Sequence, residues 1–363
     1  MQKTGNIYDL SFDELSELLL SWNEPNYRAV QLWDGLYRQL LTTTDEFSSL
    51  PKSLRQRLEG DYSQAKPGFD GRQSFTNLQP IKKLVSSDGE TVKTLFALAD
   101  GKQVEAVLMR YATRRTLCIS TQAGCAMGCV FCATGQMGFK RQLTSGEIVE
   151  QVLYFARQLA MNNEQVTNVV VMGMGEPFHN YDATMTAIRR LNDPRGYNLG
   201  ARRFTISTVG LIPGIRRFTN EHSQVNLAIS LHAADDALRS QLLPINKKYP
   251  LDELLSACLE YIQLTHRRLS FEWALIQGVN DTAEQAQLLS QRLRSFRIDG
   301  SNLCHVNVIP LNPTQKYIGQ ASTHQRALAF QQLLVHAGIP CTIRLRRGIE
   351  IQAGCGQLAE ESR

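Results

Sequence analysis

The sequence predicts a parallel α/β fold, either open or barrel-shaped, behind a helical N-terminal region. From about residue 116, strand-like runs alternate with helix-like segments about six times, which is typical of a parallel sheet. The first 60 residues or so show helical patterns instead. The chain has 363 residues, of which 43% are hydrophobic. That is enough for a sizeable core and for roughly two domains of ~150 residues each.

The N-terminal region predicts three helices. Ser11 and Glu14 form a capping-box pattern before LSELLLSW, and NYRAVQLWDGLYRQL places its apolar residues near one face. A third helix is predicted in LPKSLRQRLEG. The following stretch, YSQAKPGFDGRQSF, is rich in turn residues and predicts a connector.

The next segment predicts a three-stranded meander. Asp88-Gly89 and Asp100-Gly101 separate the runs IKKLVS, ETVKTLFALA and KQVEAVLMR, and Asp-Gly is a strong hairpin signal. We therefore expect a helical domain at 1–62, a connector and meander at 63–110, a core at 111–346 and a tail at 347–363.

The core is predicted from six strand-like runs with helices between them. Thr144 and Glu147 form a capping-box pattern that opens the first of these helices. In open sheets and barrels alike, sites form at the C-terminal ends of the parallel strands. The runs are TLCIS, NVVVMGM, RFTISTV, QVNLAIS, LSFEWALI and CHVNVIP.

Charge and cysteine content limit the class of protein. The net charge is +5, and basic residues often come in pairs, which suits a polyanion such as RNA. On charge alone, a solvated surface balanced by 34 acidic residues is the better explanation. The N-terminus lacks the apolar segment of a signal peptide, and no run of about 18 apolar residues predicts a membrane span. With eight cysteines and no export signal, we expect a cytoplasmic protein with reduced or metal-bound thiols.

Three cysteines, Cys125, Cys129 and Cys132, follow the first core strand. A structural zinc site would need a fourth Cys or His, and an electron-transfer cluster would also take four cysteines. A catalytic cluster would leave one iron open for a substrate. The pair Cys129 and Cys132 alone is also compatible with a redox dithiol.

The spacing C-x3-C-x2-C, with Phe131 before the last cysteine, resembles that of the radical S-adenosylmethionine (radical SAM) superfamily. The resemblance implies that the three cysteines hold one [4Fe-4S] cluster, whose fourth iron binds S-adenosylmethionine. The turn MGMGEP resembles the element of that superfamily that contacts the methionine amino group. This assigns Gly175 and Glu176 to cofactor binding.

Small polar residues follow other core strands and predict further cofactor contacts. A lone residue of this kind is usually a turn or cap, but the ends of parallel strands converge on one mouth. The candidates are Ser207, Ser230, Leu231, His232 and Asn312.

Residues 5 to 358 resemble a narrower family, the dual-specificity radical SAM RNA methyltransferases that methylate carbon 2 of adenosine. The family fold is a partial barrel of six β/α units. Here the tail reads Gln352-Ala353-Gly354-Cys355, where many relatives have Asp-Ala-Ala-Cys. The matching pieces are VEAVLMR, LCISTQAGCAMGCVFCATGQMGF, VVVMGMGEP, ISTVGLIPGI, LAISLHA, LPINKKYPL, GVND, LNPT and CGQL.

The family resemblance implies a mechanism that consumes two molecules of S-adenosylmethionine per methylation. The first methylates Cys355, and the second is cleaved to a radical that removes a hydrogen atom from that methyl group. The methylene radical adds to carbon 2, Glu105 accepts the carbon-2 proton, and Cys118 attacks Cys355 to form a disulfide and release the RNA.

The resemblance also implies the partners. They are an adenosine in the peptidyl-transferase region of 23S rRNA, the adenosine 3′ of the anticodon in some tRNAs, and a low-potential electron donor such as flavodoxin or ferredoxin. A monomer is expected. For the RNA-binding surface we consider the N-terminal helices, with Tyr27, Arg28, Trp33, Tyr37 and Arg38.

Three alternatives remain open. A sister family methylates carbon 8 of the same ribosomal adenosine with the same catalytic cysteines. The long N-terminal domain and GQMGF at 135–139 favour carbon 2. The protein could instead be a non-enzymatic, RNA-associated iron–sulfur protein, which would not need MGMGEP or LNPT. A radical enzyme that acts on a protein or a small molecule is the third alternative.

Overall fold

Ten strands form one sheet, and their spatial order follows their order along the chain. The computed structural model describes residues 5–62, 64–65, 73–298 and 300–359. The strands of this sheet are β1 Gln79–Val85, β2 Thr91–Ala97, β3 Gln103–Arg110, β4 Arg115–Cys118, β5 Asn168–Val171, β6 Phe204–Thr208, β7 Asn226–Ser230, β8 Leu269–Leu275, β9 Cys304–Pro310 and β10 Cys341–Ile343.

The predicted meander is present as β1–β3, and it continues the sheet of the core. Strands β1 to β4 pair antiparallel, with Val107 of β3 opposite Cys118 of β4. Both Asp-Gly turns are confirmed: Gly89 and Gly101 have φ of +72° and +78°, the left-handed region that glycine adopts most readily. Strand β3 therefore lies directly beside the first parallel strand of the core.

Strands β4 to β10 are parallel, which confirms the predicted α/β class. Residues that follow β4 through β9 line one common cavity, so the sheet forms the predicted partial barrel. Strand β10 was not predicted, because three residues are too few to show a period. The core helices are α4 Ala133–Met137, α5 Ser145–Ala160, α6 Tyr181–Asn192, α7 Ile212–Asn220, α8 Asp236–Leu242, α9 Leu251–Thr265, α10 Ala283–Arg292 and α11 His324–His336.

The three N-terminal helices are α1 Phe12–Ser21, α2 Tyr27–Tyr37 and α3 Lys52–Tyr62. The capping boxes of Ser11 with Glu14 and of Thr144 with Glu147 are both formed. None of the helices in the described part of the chain is long and apolar enough to span a membrane. Of the predicted connector, residues 63 and 66–72 lie outside the described residues, and Gln64–Ala65 pairs with Gln73–Ser74.

The aromatic residues of α2 belong to the core. Trp33 and Tyr37 are only 2% and 1% exposed, and their rings pack 4.3 Å apart. Tyr8 meets Tyr37 edge to face at 5.9 Å. The prediction that Trp33 and Tyr37 form an RNA-binding surface is therefore wrong, because burying these large rings contributes several kcal/mol of stability and leaves nothing for a partner to contact.

Candidate active site

The three clustered cysteines lie on a tight loop between β4 and α4. Cys125, Cys129 and Cys132 all line the same cavity. Gly124 has φ of +75°, and a Cβ atom there would stand 1.9 Å from the carbonyl oxygen of Gly138. The loop can close only because this position is glycine.

The arrangement of the thiols fits a cluster better than a single metal ion. Among residues 5–62, 64–65, 73–298 and 300–359, no three His, Cys, Asp or Glu side chains are placed to hold one ion. A structural zinc site would need four ligand atoms within about 2.0–2.3 Å of one point, whereas in a cluster the thiolates bind different irons. Burial raises the pKa of Cys125 to about 12 and that of Cys129 well above its ordinary value, so a cationic metal centre is needed to hold them as thiolates.

The cavity above the cysteines encloses about 1030 Å³, its open mouth included. One wall comes from the turn after β5 and from the ends of β6 to β9. The C-terminal tail forms part of the opposite wall, so the cavity needs both the barrel and the tail. The polar and thiol residues among its walls are Cys125, Cys129, Cys132, Thr134, Glu176, Ser207, Ser230, His232, Glu272, Asn312 and Cys355.

Glu176 is held rigidly at the end of the turn after β5. Its two carboxylate oxygens accept hydrogen bonds from the backbone N–H groups of Phe178 and Val209, at 2.9 and 2.8 Å. Gly175 has φ of +104°, and a Cβ there would lie 2.6 Å from Gln122. Burial raises the pKa of Glu176 to about 7, despite the two donors that favour the charged form. A ligand cation such as an ammonium group would stabilise that charge.

Four predicted cofactor contacts lie at the ends of β6 and β7. Ser207 and Ser230 face each other with 3.3 Å between their hydroxyl oxygens. The Nδ1 atom of His232 accepts the backbone N–H of Ala274 at 2.9 Å, and burial lowers the pKa of His232 to about 3. The ring is therefore neutral and carries its proton on Nε2. The side chain of Leu231 is buried in the core and does not line the cavity, and its backbone N–H donates to the carbonyl oxygen of Glu272 at 3.1 Å, so its cofactor contact stays a prediction.

A buried arginine, missed in the sequence, fixes these strand ends. Arg239 donates to the carbonyl oxygens of Val209 and Leu231 at 2.7 and 3.1 Å, and to the side-chain oxygen of Asn246 at 2.8 Å. Its burial lowers its pKa to about 10, so it stays charged at neutral pH. Within DDALRSQL it resembles any exposed helical cation, and no local signal could have identified it.

Asn312 joins the cavity wall to the tail. Its Nδ2 atom donates to the carbonyl oxygen of Cys355 at 3.0 Å. Its Oδ1 atom is buried and accepts no hydrogen bond from the described residues. An unsatisfied buried acceptor on a cavity wall is a favourable contact for a ligand N–H or O–H group.

Cys355 and Cys118 are brought close together, and both thiols are free. Cys355 is exposed to the cavity, while the protein around it raises the pKa of its thiol to about 11. Burial raises the pKa of Cys118 to about 12, and the nearby Cys355 raises it further. The geometry agrees: Cys118 is opposite Val107 of β3, Val107 is opposite Lys93 of β2, and Lys93 contacts the carbonyl oxygen of Gln352, three residues before Cys355. The two cysteines meet in this way although they are more than 200 residues apart in the sequence.

Glu105 lies on β3, outside the cavity walls. One of its oxygens pairs with Lys93 at 2.8 Å, and the other accepts the backbone N–H of Ala359 at 3.0 Å. Its role as proton acceptor stays a prediction, since one contact is to Lys93 of β2, the other is to the tail, and neither partner lines the cavity.

A second carboxylate, missed in the sequence, does line the cavity. Glu272 of β8 is 3% exposed; its Oε1 atom accepts a hydrogen bond from Asn307 at 2.8 Å, and its Oε2 atom has no partner among the described residues. Burial raises its pKa, and its charge raises that of Cys355. Acidic residues are rare in strands that are buried on both faces, so the lone glutamate of LSFEWALI was the signal.

Cationic side chains gather around the turn between β3 and β4 and in the segment that follows β10. Arg344 lies 3.9 Å from Glu272. The guanidinium groups of Arg347 and Arg114 stand 4.6 and 5.2 Å from the ring centre of Tyr111. We call Tyr111, Arg114, Arg344 and Arg347 the Tyr111 patch.

Two family models match the chain. Residues 119–287 match the model of the radical SAM superfamily, and residues 5–62 match that of the ribosomal RNA large subunit methyltransferase N-terminal domain. The first match covers the cysteine loop and strands β5 to β8. The second covers the three N-terminal helices.

Curated relatives and a solved structure match nearly the whole chain. A probable dual-specificity RNA methyltransferase RlmN of Chloroflexus aurantiacus is 49% identical over 358 residues, which cover 97% of this chain and 92% of that protein. The dual-specificity RNA methyltransferase RlmN 1 of Myxococcus xanthus is 49% identical over 355 residues, 98% of this chain and 94% of that protein. The crystal structure of a radical SAM methyltransferase from Sphaerobacter thermophilus superposes with a TM-score of 0.90 at 47% identity, covering 98% of this chain and 99% of that one.

Proposed function

Because the chain belongs to the dual-specificity RNA methyltransferases of the radical SAM superfamily, we propose that it methylates carbon 2 of adenosine in RNA. The proposed targets are an adenosine in the peptidyl-transferase region of 23S rRNA and the adenosine 3′ of the anticodon in some tRNAs. The main supporting observation is that Cys355 shares one cavity with the three clustered cysteines. A protein that only carried electrons would need no reactive thiol there.

The cavity residues fit a cluster and S-adenosylmethionine. Cys125, Cys129 and Cys132 would hold one [4Fe-4S] cluster, which when bound supplies the electron that cleaves S-adenosylmethionine to a 5′-deoxyadenosyl radical. Glu176 would accept the ammonium of the methionine moiety, and the unsatisfied oxygen of Asn312 would accept another donor of the ligand. A low-potential donor such as flavodoxin or ferredoxin would supply the electron in a cytoplasmic, monomeric enzyme.

Cys355 would carry the methyl group. Carbon 2 of adenine is electron-poor, so it does not attack an ordinary methyl donor, whereas a carbon radical can add to it. The Cys355 thiolate would take a methyl group from one S-adenosylmethionine by displacement. After a second S-adenosylmethionine is cleaved, the methyl group would give a hydrogen atom to the 5′-deoxyadenosyl radical, which becomes 5′-deoxyadenosine. The methylene radical on Cys355 would then bond to carbon 2, which joins the RNA to Cys355.

Release would need a proton acceptor and a second thiol. Glu105 would accept the carbon-2 proton, and the adduct would pass its unpaired electron to the oxidised cluster. The Cys118 thiolate would then attack the Cys355 sulfur, which forms a disulfide and breaks the bond from that sulfur to the methylene carbon, and a proton would complete the methyl group of the released base. The contacts that join the strand beside Cys118 to the tail of Cys355 support this step.

The RNA would bind over the Tyr111 patch. A base in folded RNA must leave its stack before it can enter a cavity, and arginine and aromatic side chains stabilise such unstacked states. Arg347 and Arg114 flank Tyr111 close to the tail that carries Cys355, so the patch combines phosphate-binding charge with a ring that can stack.

Nucleoside mass spectrometry tests this function. The protein is loaded anaerobically with iron and sulfide, then incubated with reductant, S-adenosylmethionine and a 23S rRNA fragment or tRNA. The digested RNA is compared with 2-methyl- and 8-methyladenosine standards. We expect 2-methyladenosine, and we expect it to be absent with Cys355→Ala.

Other outcomes identify the alternatives. An 8-methyladenosine peak would assign the protein to the sister activity. Formation of 5′-deoxyadenosine without any methylated adenosine would keep the radical chemistry and reject the RNA substrate. Absence of both would favour an iron–sulfur protein without this catalysis.

A further inference from the structure

Two buried side chains hold the C-terminal tail on both sides of Cys355. We call residues 352–359 the Cys355 loop. Lys93 Nζ donates to the carbonyl oxygen of Gln352 at 3.3 Å, and Glu105 Oε2 accepts the backbone N–H of Ala359 at 3.0 Å. The two anchored groups lie three residues before and four residues after Cys355.

Lys93 and Glu105 also bind each other. In the register of β2 and β3, Lys93 is opposite Val107 and Leu95 is opposite Glu105, so the two charged residues are diagonal neighbours on one face. Their side chains are 4% and 1% exposed, and the Nζ and Oε1 atoms are 2.8 Å apart. Each ion thus has both a charged partner and a backbone partner in the tail.

A buried ion pair of this kind needs an explanation beyond stability. Removing two ions from water often costs as much free energy as their mutual attraction provides. A protein with apolar residues in place of such a pair is therefore often as stable as the original. Specific positioning is the usual alternative explanation, and here the backbone groups that the pair positions belong to the Cys355 loop.

The Cys355 loop has features that call for outside anchoring. Gln352 has φ of +53° and Gly356 has φ of +81°, both left-handed, and Gly354 adds a further residue without a side chain. The barrel side fastens the loop through Asn312 and through the N–H of Ala133, which donates to the Gly356 carbonyl. The ion pair fastens it to β3, the strand that lies beside Cys118.

We propose that the Lys93–Glu105 pair is a two-point clamp that sets the distance between Cys355 and Cys118, which makes Lys93 a positioning residue. The inference rests on the proposed function, because it concerns the thiols that function uses. Without the clamp, the loop keeps its barrel contacts but gains freedom relative to β3 and β4. The effective concentration of one thiol at the other then falls.

The experiment measures the thiol–disulfide equilibrium of Cys118 and Cys355 in cluster-loaded, full-length protein. In an anaerobic glutathione buffer, the two thiols give up two protons and two electrons to one oxidised glutathione, which becomes two reduced glutathione molecules. Differential alkylation and peptide mass spectrometry report the disulfide fraction. For Lys93→Met we expect the equilibrium constant for disulfide formation to fall by about tenfold, as expected for a loss of effective concentration.

Two further variants test whether the effect of Lys93→Met comes from the lost contacts to the tail or from a general loss of stability. Lys83→Met removes an exposed lysine from the neighbouring β1, where the Nζ atom contacts Gln158 at 3.4 Å, and should leave the equilibrium unchanged. Lys93→Met/Glu105→Leu removes both charges and replaces them with apolar groups, which should restore thermal stability but not the equilibrium.

An equilibrium constant at the wild-type value in Lys93→Met would overturn the clamp. So would recovery of the wild-type value in the double variant, because the uncompensated charge would then explain the effect. The measurement uses neither RNA nor S-adenosylmethionine. A shifted equilibrium in a protein that methylates no RNA would therefore reject the proposed function and keep the clamp.

Discussion

The pKa of Glu176 gives the site a measurable pH dependence. Burial raises this pKa from 4.5 to about 7, so the folded protein binds the proton more tightly than the unfolded chain. Its contribution to the free energy of unfolding is therefore fully present below pH 4.5 and is lost as the pH rises through 7. At 1.36 kcal/mol per unit, the loss is about 3 kcal/mol.

We predict that Glu176→Gln removes this loss of stability at rising pH. In urea unfolding of cluster-free protein without S-adenosylmethionine, the variant should gain stability relative to wild type as the pH rises from 5 to 8. Glu253→Gln, at an exposed position of α9, serves as the matched control. If the free energy of unfolding of Glu176→Gln varied with pH as it does in the wild type, the raised pKa of Glu176 would be contradicted.

The roles of single residues were predictable where the pattern that indicates them lies within a short stretch of sequence. The spacing of Cys125, Cys129 and Cys132 and the glycine turn before Glu176 can be read within a dozen positions. Lys93 could not be assigned in this way, since its partners come from another strand and from the tail, whereas Glu272 had a local signal that was missed. For Leu231, the sequence correctly placed the residue at the end of a strand, but it could not show that the side chain points into the core.

Helix α5 depends on a predicted capping box at its first turn. The Thr144 hydroxyl accepts the N–H of Glu147 at 3.2 Å, and the Glu147 carboxylate accepts the N–H of Thr144 at 2.9 Å. We predict that Thr144→Ala lowers the free energy of unfolding by about 1 kcal/mol, the usual cost of losing such a cap. Urea denaturation checks this, and Thr144→Ser should retain most of the stability. Equal losses in both variants would show that the hydroxyl does not act as a cap.

The order of the strands and the pairing within the meander were predictable, but the pairing that joins the meander to the barrel was not. Asp-Gly turns and the alternation of strands with helices gave β1–β9, because these signals lie in the local sequence. The pairing of β3 with β4, which joins the meander to the barrel, depends on contacts between segments that have no shared pattern. This pairing places the strand of Glu105 beside Cys118.

At the scale of the whole molecule, the paired basic residues divide into two groups. Several are neutralised within the fold: Arg141 binds Glu147 at 2.8 Å, and Arg217 binds Asp182 at 2.5 Å. In the Tyr111 patch, by contrast, Arg114 is exposed and Arg347 is half-buried, so a polyanion can reach both side chains. The net charge alone could not make this distinction.

We predict that Arg114→Ala/Arg347→Ala weakens RNA binding and leaves cleavage of S-adenosylmethionine unchanged. If each arginine contacts one phosphate, the slope of log affinity against log salt should fall by about 2. Filter binding at several salt concentrations and assay of 5′-deoxyadenosine measure the two effects.

The control is Arg28→Ala/Arg38→Ala. Arg28 and Arg38 already donate to the carbonyl oxygens of Ser49 and Pro194, at 3.0 and 2.8 Å. A larger loss of RNA affinity in this variant than in Arg114→Ala/Arg347→Ala would place the RNA surface on the N-terminal helices.

The most direct test of the central claim is to trap the RNA on the protein. Cluster-loaded Cys118→Ala is incubated with S-adenosylmethionine, reductant and substrate RNA, then analysed by denaturing electrophoresis and peptide mass spectrometry. Because release would lack its second thiol, we predict a covalent adduct between RNA and Cys355 that is absent in Cys118→Ala/Cys355→Ala. Free turnover of Cys118→Ala without an adduct would contradict the account, since methyl transfer would then not pass through a Cys355 intermediate that Cys118 resolves.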